Sequence, residues 1–553
     1  MKNVLLEVVK LLLRAAGRVA AQAPGWAWAT APGAGVGFSS AVDAAGNVYV
    51  TGYFAGTATF GTTTLTSAGQ GDGFVAKLTR SGTYQWVAQV AGAAYDIGNT
   101  ITVGAAGDVY VTGYFESQLA SFGPTISLTN TSAGGATGSD AFIAKLNAAG
   151  VWQWAVKGGG SRDDYGSAVT VDGSGNAYVT GEFRSPTATF GPAAGNPITL
   201  TNSTIGGGTP STFVAKLNAA GVYQWATGTT GFSGGTSVVV DGNGQVYVGG
   251  FYQDAPITFG SIVLPQPSLP PGATDVYIAR LTAAGAWDWA IAATSTSGVI
   301  VGGMALDRSG NLLISGGFVG QLTIGAITLT GDAGQEMFAA KLNPAGAGAG
   351  ACTWAVRAGG NGQDTGSGLT LDGSGNVYVT GVFSGLAFFG PTTLSSAGSG
   401  DVFVAKITPD GTWQWVIPAG GATDDGGLGV AVQGNETMCV TGYFASYPAN
   451  FGSISLPSNL GDRSIFIAHI GATGVGLPEG GTTPPFTLAP NPAHHTATLT
   501  GASGSTATLL DGLGRTVRTV PLSQGAATLD LRGLPAGLYV VRAGETTRRL
   551  VVE

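Results

Sequence analysis

The chain has 553 residues, of which 10% are charged and 44% hydrophobic, and its net charge at pH 7 is −8. This composition is too apolar for a disordered chain, and the negative charge disfavours nucleic acid, whose phosphates need clustered Lys and Arg. No stretch approaches the roughly 18 to 20 consecutive apolar residues that span a bilayer. The 95 glycines beside many Val, Thr, Tyr and Phe residues predict short strands joined by tight turns.

Residues 1–23 are interpreted as an imperfect secretory signal. The tripeptide Ala-Gln-Ala at 21–23 has the small residues of a cleavage site and follows an apolar stretch. Glu7, Lys10 and Arg14 interrupt that stretch, which a secretory signal should leave unbroken. A short amphipathic helix is therefore the alternative interpretation of this segment.

Residues 24–471 contain a repeat that occurs seven times. Its first motif reads VDGSGNAYVTGEF at 171–183, its second reads FVAKL at 213–217, and its third carries tryptophan, as in WQW at 152–154. A repeat of this length is typical of solenoids, propellers and arrays. The second position of the first motif falls at Asp43, Gly104, Asp172, Asp241, Asp307, Asp372 and Gln433, which number repeats 1 to 7.

Each repeat is predicted to form four antiparallel strands, named a to d. Strand a ends at the Asp of the first motif, and strand b follows a Gly-Asn turn that suits a tight hairpin. Strand c is the FVAKL segment and strand d is the tryptophan segment. In each strand, similar residues recur at every second position and therefore lie on the same face. Seven four-stranded sets predict an all-β fold, a seven-bladed β-propeller.

The order of the segments predicts how this ring closes. A tryptophan segment at 26–28 precedes the first a-b-c set, whereas the last set, which ends near Ile470, has no tryptophan segment after it. The N-terminal tryptophan strand can therefore complete the last blade. An open solenoid would instead need atypical terminal repeats.

The three motifs, in this fixed order, resemble the SBBP-type β-propeller repeat of bacterial secreted proteins. The resemblance covers residues 25 to about 471 and includes the pattern D-x-x-G-N-x-Y-V-T-G. It implies a propeller fold and an extracellular setting. It implies no shared enzymatic activity.

The C-terminal part of the chain lacks the repeat. Residues 472–484 are rich in Gly, Pro and Thr and are predicted to be a linker. Residues 485–553 show short alternating strands bounded by Gly or Pro, which predicts a small β-sandwich. This segment resembles the type A sorting domain of the type IX secretion system, through FTLAPNPA at 486–493 and LRGLPAGLYVVR at 531–542. The resemblance implies that the secretion machinery is a partner and that the protein is secreted or held at the outer cell surface.

The sequence predicts no catalytic site, no metal site and no cofactor. The three histidines form no cluster for a metal or a catalytic triad, and no nucleophile elbow or Walker loop occurs. Calcium is the alternative, because Asp372, Ser374 and Asn376 space their oxygens as some calcium loops do. Hydrogen bonds from these side chains to their own turn explain the same pattern without a metal.

Topology predicts a candidate binding face. Because neighbouring strands run in opposite directions, the long b–c and d–a loops share one edge of the propeller, while the short a–b and c–d turns share the other. Variable loops on a rigid scaffold often carry function. We expect an acidic binding face whose candidate residues are Asp96, Asp163, Asp164, Asp364, Asp424 and Asp425. The alternative for each of them is a turn-capping or solubilising role.

Two classes of function remain. The favoured one is an exported, monomeric, non-enzymatic adhesion or binding module whose acidic face engages a glycan, a surface protein or a divalent cation. The alternative is a polysaccharide-active hydrolase or lyase that uses paired carboxylates such as Asp163 and Asp164, one of them with a raised pKa in a cleft. An enzyme would need unique polar residues in one or two repeats, whereas the departures here are mainly losses, such as Gly104 and Gln433. We therefore expect no enzymatic activity.

Overall fold

The fold is described from a computed structural model of the chain. It divides the chain into two compact units, residues 1–472 and 473–553. Residues 1–22 of the predicted signal lie outside the described residues, and so does the whole predicted linker. The ranges that the structure describes are 23–132, 138–191, 197–202, 208–267, 272–344, 352–434, 437–457, 463–471, 486–501, 505–511, 515–543 and 546–552.

Every regular element in the described ranges is a β-strand, so the all-β prediction is confirmed. The a strands are Gly35–Val42, Asp96–Val103, Asp164–Val171, Ser233–Val240, Val299–Leu306, Thr365–Leu371 and Asp425–Gln433. The b strands are Val48–Phe54, Val109–Phe115, Ala177–Phe183, Val246–Tyr252, Leu312–Ile324, Val377–Phe383 and Thr437–Phe444. The c strands are Asp72–Leu78, Asp140–Leu146, Ser211–Leu217, Asp275–Leu281, Ile327–Leu342, Asp401–Ile407 and Ser464–Gly471. The d strands are Tyr84–Ala91, Trp152–Gly159, Tyr223–Gly228, Trp287–Ser295, Cys352–Gly360, Trp413–Ala419 and Gly25–Thr30.

Within a repeat, the four strands pair in the order a-b-c-d, and each pair is antiparallel. In repeat 3, for example, Thr180 lies opposite both Ala168 and Val214, and Ala215 lies opposite Ala226. Strands b and c are almost wholly buried, because both of their faces are covered by neighbouring repeats. Their near-continuous apolar sequence follows from this position.

The b–c loops contain a short hairpin that the sequence analysis did not predict. In repeats 1 to 4, 6 and 7 the paired strands are Thr57–Phe60 with Thr63–Thr66, Leu119–Phe122 with Ile126–Thr129, Thr187–Phe190 with Ile198–Thr201, Ile257–Phe259 with Ile262–Leu264, Leu386–Phe389 with Thr392–Ser395, and Ala449–Phe451 with Ile454–Leu456. In repeat 5, strands b and c extend to form the same hairpin. Most of these hairpins pair with strand d of the preceding repeat, as Phe122 does with Val90. The recurring Phe-Gly dipeptide at the hairpin turn is the sequence signal that marks them.

The tryptophan at the third position of the strand d segment joins consecutive repeats. The indole Nε1 of Trp86 donates to the backbone oxygen of Ala148 at 3.1 Å, and its ring covers Gly150 in the c–d turn of repeat 2. A Cβ at Gly150 would lie 2.5 Å from the ring, and the φ of 80° there favours glycine. The same hydrogen bond joins Trp154 to Ala219, Trp225 to Ala283, and Trp354 to Pro409.

The N-terminal strand pairs with the last repeat. Trp26 lies opposite Ile470, and Trp28 lies opposite His469. The Trp28 indole donates to the backbone oxygen of Arg80 at 3.0 Å and covers Gly82 in the c–d turn of repeat 1. This strand therefore makes the same contact with repeat 1 that other d strands make with the repeats after them.

The a strands of all seven repeats line one cavity of about 780 Å³. Its lining is formed mainly by hydroxyl, small and aliphatic side chains, together with Phe38, Asn99 and Met304. Among the described residues that line the cavity, none carries a charge. The predicted acidic residues therefore do not form its wall.

The C-terminal unit has two antiparallel sheets around one core. One sheet contains Thr487–Ala489, Thr496–Thr500 and Ala527–Asp530, and the other contains Thr506–Leu510, Thr516–Pro521, Gly537–Ala543 and Thr546–Val552. Leu499, Leu509 and Val541 are fully buried between them. Over the described part of the whole chain, the structure contains no helix of the length and apolarity that a membrane span requires.

Candidate functional site

The b–c and d–a loops emerge side by side from the repeats. In repeat 2, Asp96 at the start of strand a and Asp140 at the start of strand c both lie opposite Phe115 at the end of strand b. We call this side of the repeats the loop edge. The opposite side, which carries the a–b and c–d turns, is the turn edge.

Four of the six candidate aspartates are buried at the loop edge. They are at most 1% exposed: Asp96, Asp164, Asp364 and Asp425. Oδ1 of Asp164 accepts hydrogen bonds from the backbone amides of Arg184 at 3.0 Å and Ser185 at 3.2 Å. Oδ2 accepts from the Gly160 amide and the Ser185 hydroxyl, both at 2.7 Å. The carboxylate thus ties the d–a loop to the b–c loop and presents no free oxygen to solvent.

The same arrangement recurs around the other buried aspartates. Asp96 accepts from the Ser117 amide at 3.3 Å and its hydroxyl at 2.7 Å, and Asp425 accepts from the Ser446 hydroxyl at 2.6 Å. Asp364 accepts from the Gly360 amide at 3.0 Å. The geometry gives these carboxylates a loop-closing role, which corresponds to the turn-capping alternative.

Burial raises the pKa of these carboxyl groups. It raises the pKa of Asp96, Asp164 and Asp364 to about 7, although hydrogen bonds from neighbouring amides and hydroxyls act in the opposite direction. A raised pKa is what a general acid requires. Asp164 is closed off from solvent, however, so its pKa reflects its place in the loop closure.

Strand c begins with further buried carboxylates at the same edge. Asp140 accepts from the Thr131 amide and from the Lys157 ammonium, both at 2.7 Å. Asp72 accepts from the Ala68 amide at 3.0 Å, and its counterpart Asp401 in repeat 6 accepts from the Ala397 amide at 2.5 Å. Much of the acidity that the sequence places at this edge is therefore internal.

The remaining two candidates, Asp163 and Asp424, are partly exposed. The carboxylate of Asp424 accepts from the Tyr443 hydroxyl and from the Arg463 guanidinium, each at 3.0 Å. Asp163 accepts a long bond of 3.4 Å from the Ser139 hydroxyl. These are the two predicted site residues that can reach a ligand. Asp163 belongs to repeat 3 and Asp424 to repeat 7.

Half-buried tyrosines accompany the exposed carboxylates, and the sequence analysis did not single them out. Tyr53 and Tyr95 meet edge to face with their ring centroids 6.1 Å apart, and Tyr114 and Tyr165 do so at 4.8 Å. The position of Tyr53 in the first motif holds tyrosine in only some repeats. This difference between repeats is the sequence signal that could have identified these tyrosines as candidate site residues.

The aspartates at the turn edge bind their own turn. Oδ1 of Asp372 accepts from the backbone amides of Ser374 and Asn376, and Oδ2 accepts from the Asn376 side chain and the Tyr378 hydroxyl, at distances of 2.7 to 3.0 Å. Both oxygens are therefore occupied by neighbouring donors. Within the described ranges, no group of three or more His, Cys, Asp or Glu side chains is arranged to hold a metal ion.

Two families match the chain. The beta-propeller repeat family SBBP matches residues 157–182 and 353–382, and the secretion system C-terminal sorting domain family matches residues 487–553. The protein is thus a repeat-containing β-propeller protein with a sorting domain. More particularly, it carries SBBP repeats and a sorting domain of the type IX secretion system, which exports it to the cell surface or beyond.

Similarity to individual proteins is distant. The uncharacterized WD repeat-containing protein L264 of Acanthamoeba polyphaga mimivirus is 23% identical over an alignment of 380 residues, which covers 57% of this chain and 26% of the relative. The chain therefore spans about a quarter of that relative's length. A puromycin hydrolase structure is 10% identical with a TM-score of 0.38, covering 86% of this chain and 62% of the hydrolase. PorZ, a surface component of the type-IX secretion system of Porphyromonas gingivalis, is 9% identical with a TM-score of 0.15, covering 95% and 100%. At these TM-scores neither structure carries an argument about activity.

Proposed function

We propose that the protein is a closed, seven-bladed β-propeller that acts outside the cell as a non-enzymatic binding module. Its C-terminal domain delivers it through the type IX secretion system, and its loop edge engages a surface glycan or surface protein. The observation that carries this proposal is the contrast between the two edges. The turn edge repeats itself from one blade to the next, whereas the loop edge changes from one repeat to another.

Ring closure is supported by the N-terminal strand. It completes a four-stranded set in repeat 7, and its Trp28 packs on Gly82 of repeat 1. The a strands Gly35–Val42 and Asp425–Gln433 are also in contact. A closed ring removes free sheet edges and gives the loops a rigid support.

A binding role is supported by the composition of the loop edge. Between repeats 7 and 3 this edge presents tyrosine rings together with carboxylate and guanidinium groups, such as Asp424 and Arg463. Tyrosine supplies contact area at a low cost in conformational entropy and is enriched in binding surfaces.

The non-enzymatic part of the proposal is supported by the state of the paired aspartates. In each pair, Asp163 with Asp164 and Asp424 with Asp425, the second carboxylate is buried and saturated by loop donors. A glycosidase would need both members of a pair to reach the substrate.

The experiment is a binding assay that also detects cleavage. The full chain is incubated with a panel of polysaccharides, with calcium or with a chelator, while bound ligand and new reducing ends are measured together. Binding without new reducing ends is the expected result. New reducing ends that disappear in an Asp163→Asn variant would overturn the non-enzymatic assignment, and absence of binding across glycan and protein panels would overturn the binding function.

A further inference from the structure

Four tyrosines and Phe38 follow one another along the loop edge of three consecutive repeats, in two groups of rings in contact. Phe38 lies 6.0 Å from Tyr53 within repeat 1, and Tyr53 lies 6.1 Å from Tyr95, which leads into repeat 2. Tyr114 of repeat 2 then meets Tyr165 of repeat 3 at 4.8 Å. All five rings are half-buried, so each keeps part of its surface open to solvent. We call them the tyrosine row.

Tyrosine stands at one position of strand b in only three repeats. The next-to-last residue of the first motif is Tyr53 in repeat 1, Tyr114 in repeat 2 and Tyr443 in repeat 7. In repeats 3 to 6 it is Glu182, Phe251, Gly317 and Val382. Strand b forms with the same partners in all of these repeats. The fold therefore does not require an aromatic side chain at this position.

Two carboxylates accompany the middle of the row. The backbone amide of Glu116 donates to the carbonyl oxygen of Tyr95 at 2.9 Å, which places Glu116 beside the row. Burial raises the pKa of Glu116, and repulsion from the negative charge of Asp163 raises it further. The charge of Glu116 also raises the pKa of Tyr114. Within the described ranges, neither Glu116 nor Asp163 forms an ion pair, although Asp163 attracts the Arg184 guanidinium at longer range. A positive group placed here would relieve this repulsion.

The chain itself supplies cations on both sides of the row. In repeat 7, next to the start of the row, the guanidinium of Arg463 stacks on the Tyr443 ring, 4.0 Å from its centroid, and pairs with Asp424. At the other side, the Arg184 guanidinium lies 6.0 Å from the centroid of Tyr165, the last ring of the row, and pairs with Glu182 at 3.0 Å. Each side thus combines a tyrosine face, a carboxylate and a guanidinium. The middle of the row has tyrosine faces and carboxylates but contributes no guanidinium of its own.

We propose that the middle of the tyrosine row, Tyr53, Tyr95 and Tyr114 with Glu116 and Asp163, binds arginine or lysine side chains of a partner protein. This proposal rests on the binding function proposed above and names its ligand class. The tyrosine faces attract the cation through their quadrupoles, and the carboxylates accept its hydrogen bonds. The net charge of −8 favours the approach of a basic segment.

A neutral glycan fits the row less well. Tyrosine rings can stack on a sugar, but a neutral sugar leaves the repulsion between Glu116 and Asp163 in place. The central cavity, which is uncharged along its described wall, is better suited to a neutral polar molecule. A polysaccharide that competes with a basic peptide for the row would contradict this choice of ligand.

The test uses the full chain and two synthetic peptides, hexa-arginine and hexa-citrulline, which match in shape and differ in charge. Affinity is measured by calorimetry at 0.15 M salt, where attraction between distant exposed charges is largely screened. Hexa-arginine is expected to bind and hexa-citrulline is not. Tyr114→Ala and Glu116→Gln should each weaken hexa-arginine binding by about tenfold.

Two control variants separate the row from general acidity and from misfolding. Val382→Ala changes the equivalent position of repeat 6 and should bind hexa-arginine as the natural chain does. Tyr114→Phe keeps the aromatic face and should bind hexa-arginine more tightly than Tyr114→Ala. Equal affinity in all variants, or no binding of hexa-arginine, would overturn the proposal. The polysaccharide panel is run on the same samples, and glycan binding without peptide binding would reject the ligand class while leaving the proposed binding function in place.

Discussion

The turn edge and the loop edge are built from the same strands but are constrained differently. At the turn edge each c–d turn must accept the tryptophan of the neighbouring repeat, so the glycine of that turn recurs, as at Gly150 and Gly221. At the loop edge a buried carboxylate closes the loops from inside, and residues beyond it can vary. The repeat is thus preserved where repeats contact one another, whereas sequence variation is tolerated where a buried carboxylate already holds the loop.

The largest expected effect comes from the turn edge. Gly221→Ala places a Cβ 2.6 Å from the Trp154 ring at a φ of 78°, whereas Gly310→Ala, at the same φ, meets no atom within 4 Å. Left-handed strain costs about 1–2 kcal/mol, and overpacking adds about 1–3 kcal/mol. Urea unfolding followed by tryptophan fluorescence should therefore show a larger loss for Gly221→Ala. All 11 tryptophans lie in the repeats, so the signal reports on them alone. Equal losses would show that the tryptophan contact contributes nothing.

The second prediction contrasts two adjacent residues of the loop edge. Asp164→Asn places an amide group against backbone N–H donors and should lower the free energy of unfolding by about 1–3 kcal/mol. Asp163→Asn changes a partly exposed carboxylate and should alter it by less than about 0.5 kcal/mol. Chemical denaturation of the two variants measures both values. A comparable loss in each would remove the distinction between buried and exposed aspartates.

The third prediction concerns pH. The pKa of Asp96, Asp164 and Asp364 is about 7 in the folded protein and about 4 when unfolded. The folded state therefore holds more protons between these values, and the free energy of unfolding should decrease as pH rises from about 4 to about 8. Since one pKa unit corresponds to about 1.4 kcal/mol, the three groups together should lower it by several kcal/mol. Urea midpoints across this range measure it, and the slope should become shallower in Asp96→Asn. A midpoint that rises with pH would contradict the raised pKa values.

The smallest expected effect is that of calcium. Both oxygens of Asp372 already accept hydrogen bonds from their own turn, and the corresponding Asp43 does the same in repeat 1. Thermal unfolding should therefore give the same Tm with millimolar calcium and with chelator. A rise in Tm with calcium that disappears in Asp372→Ala would identify a metal at the turn edge.

Much of the fold follows from the sequence, because each repeat carries its own strand signals. The motif around Asp172 predicts a turn and a buried strand, and the tryptophan segment predicts an outer strand, as observed. The hairpins of the b–c loops were missed, because their strands have only three or four residues and variable loops obscure their spacing. The candidate site was predicted less well. Sequence position places Asp164 and Asp163 in the same loop but cannot tell which carboxylate points inward.

The sequence by itself determined the all-β class, the repeat and the C-terminal sorting domain, because these depend on local periodicity and on motifs that recur or stand in a fixed order. Only the tertiary structure decided which charges face solvent, because burial depends on contacts between distant segments. Tyr114 and Tyr165 are 51 positions apart in the chain, yet their rings meet across the junction of two repeats. The candidate binding surface therefore arises from the way the repeats pack.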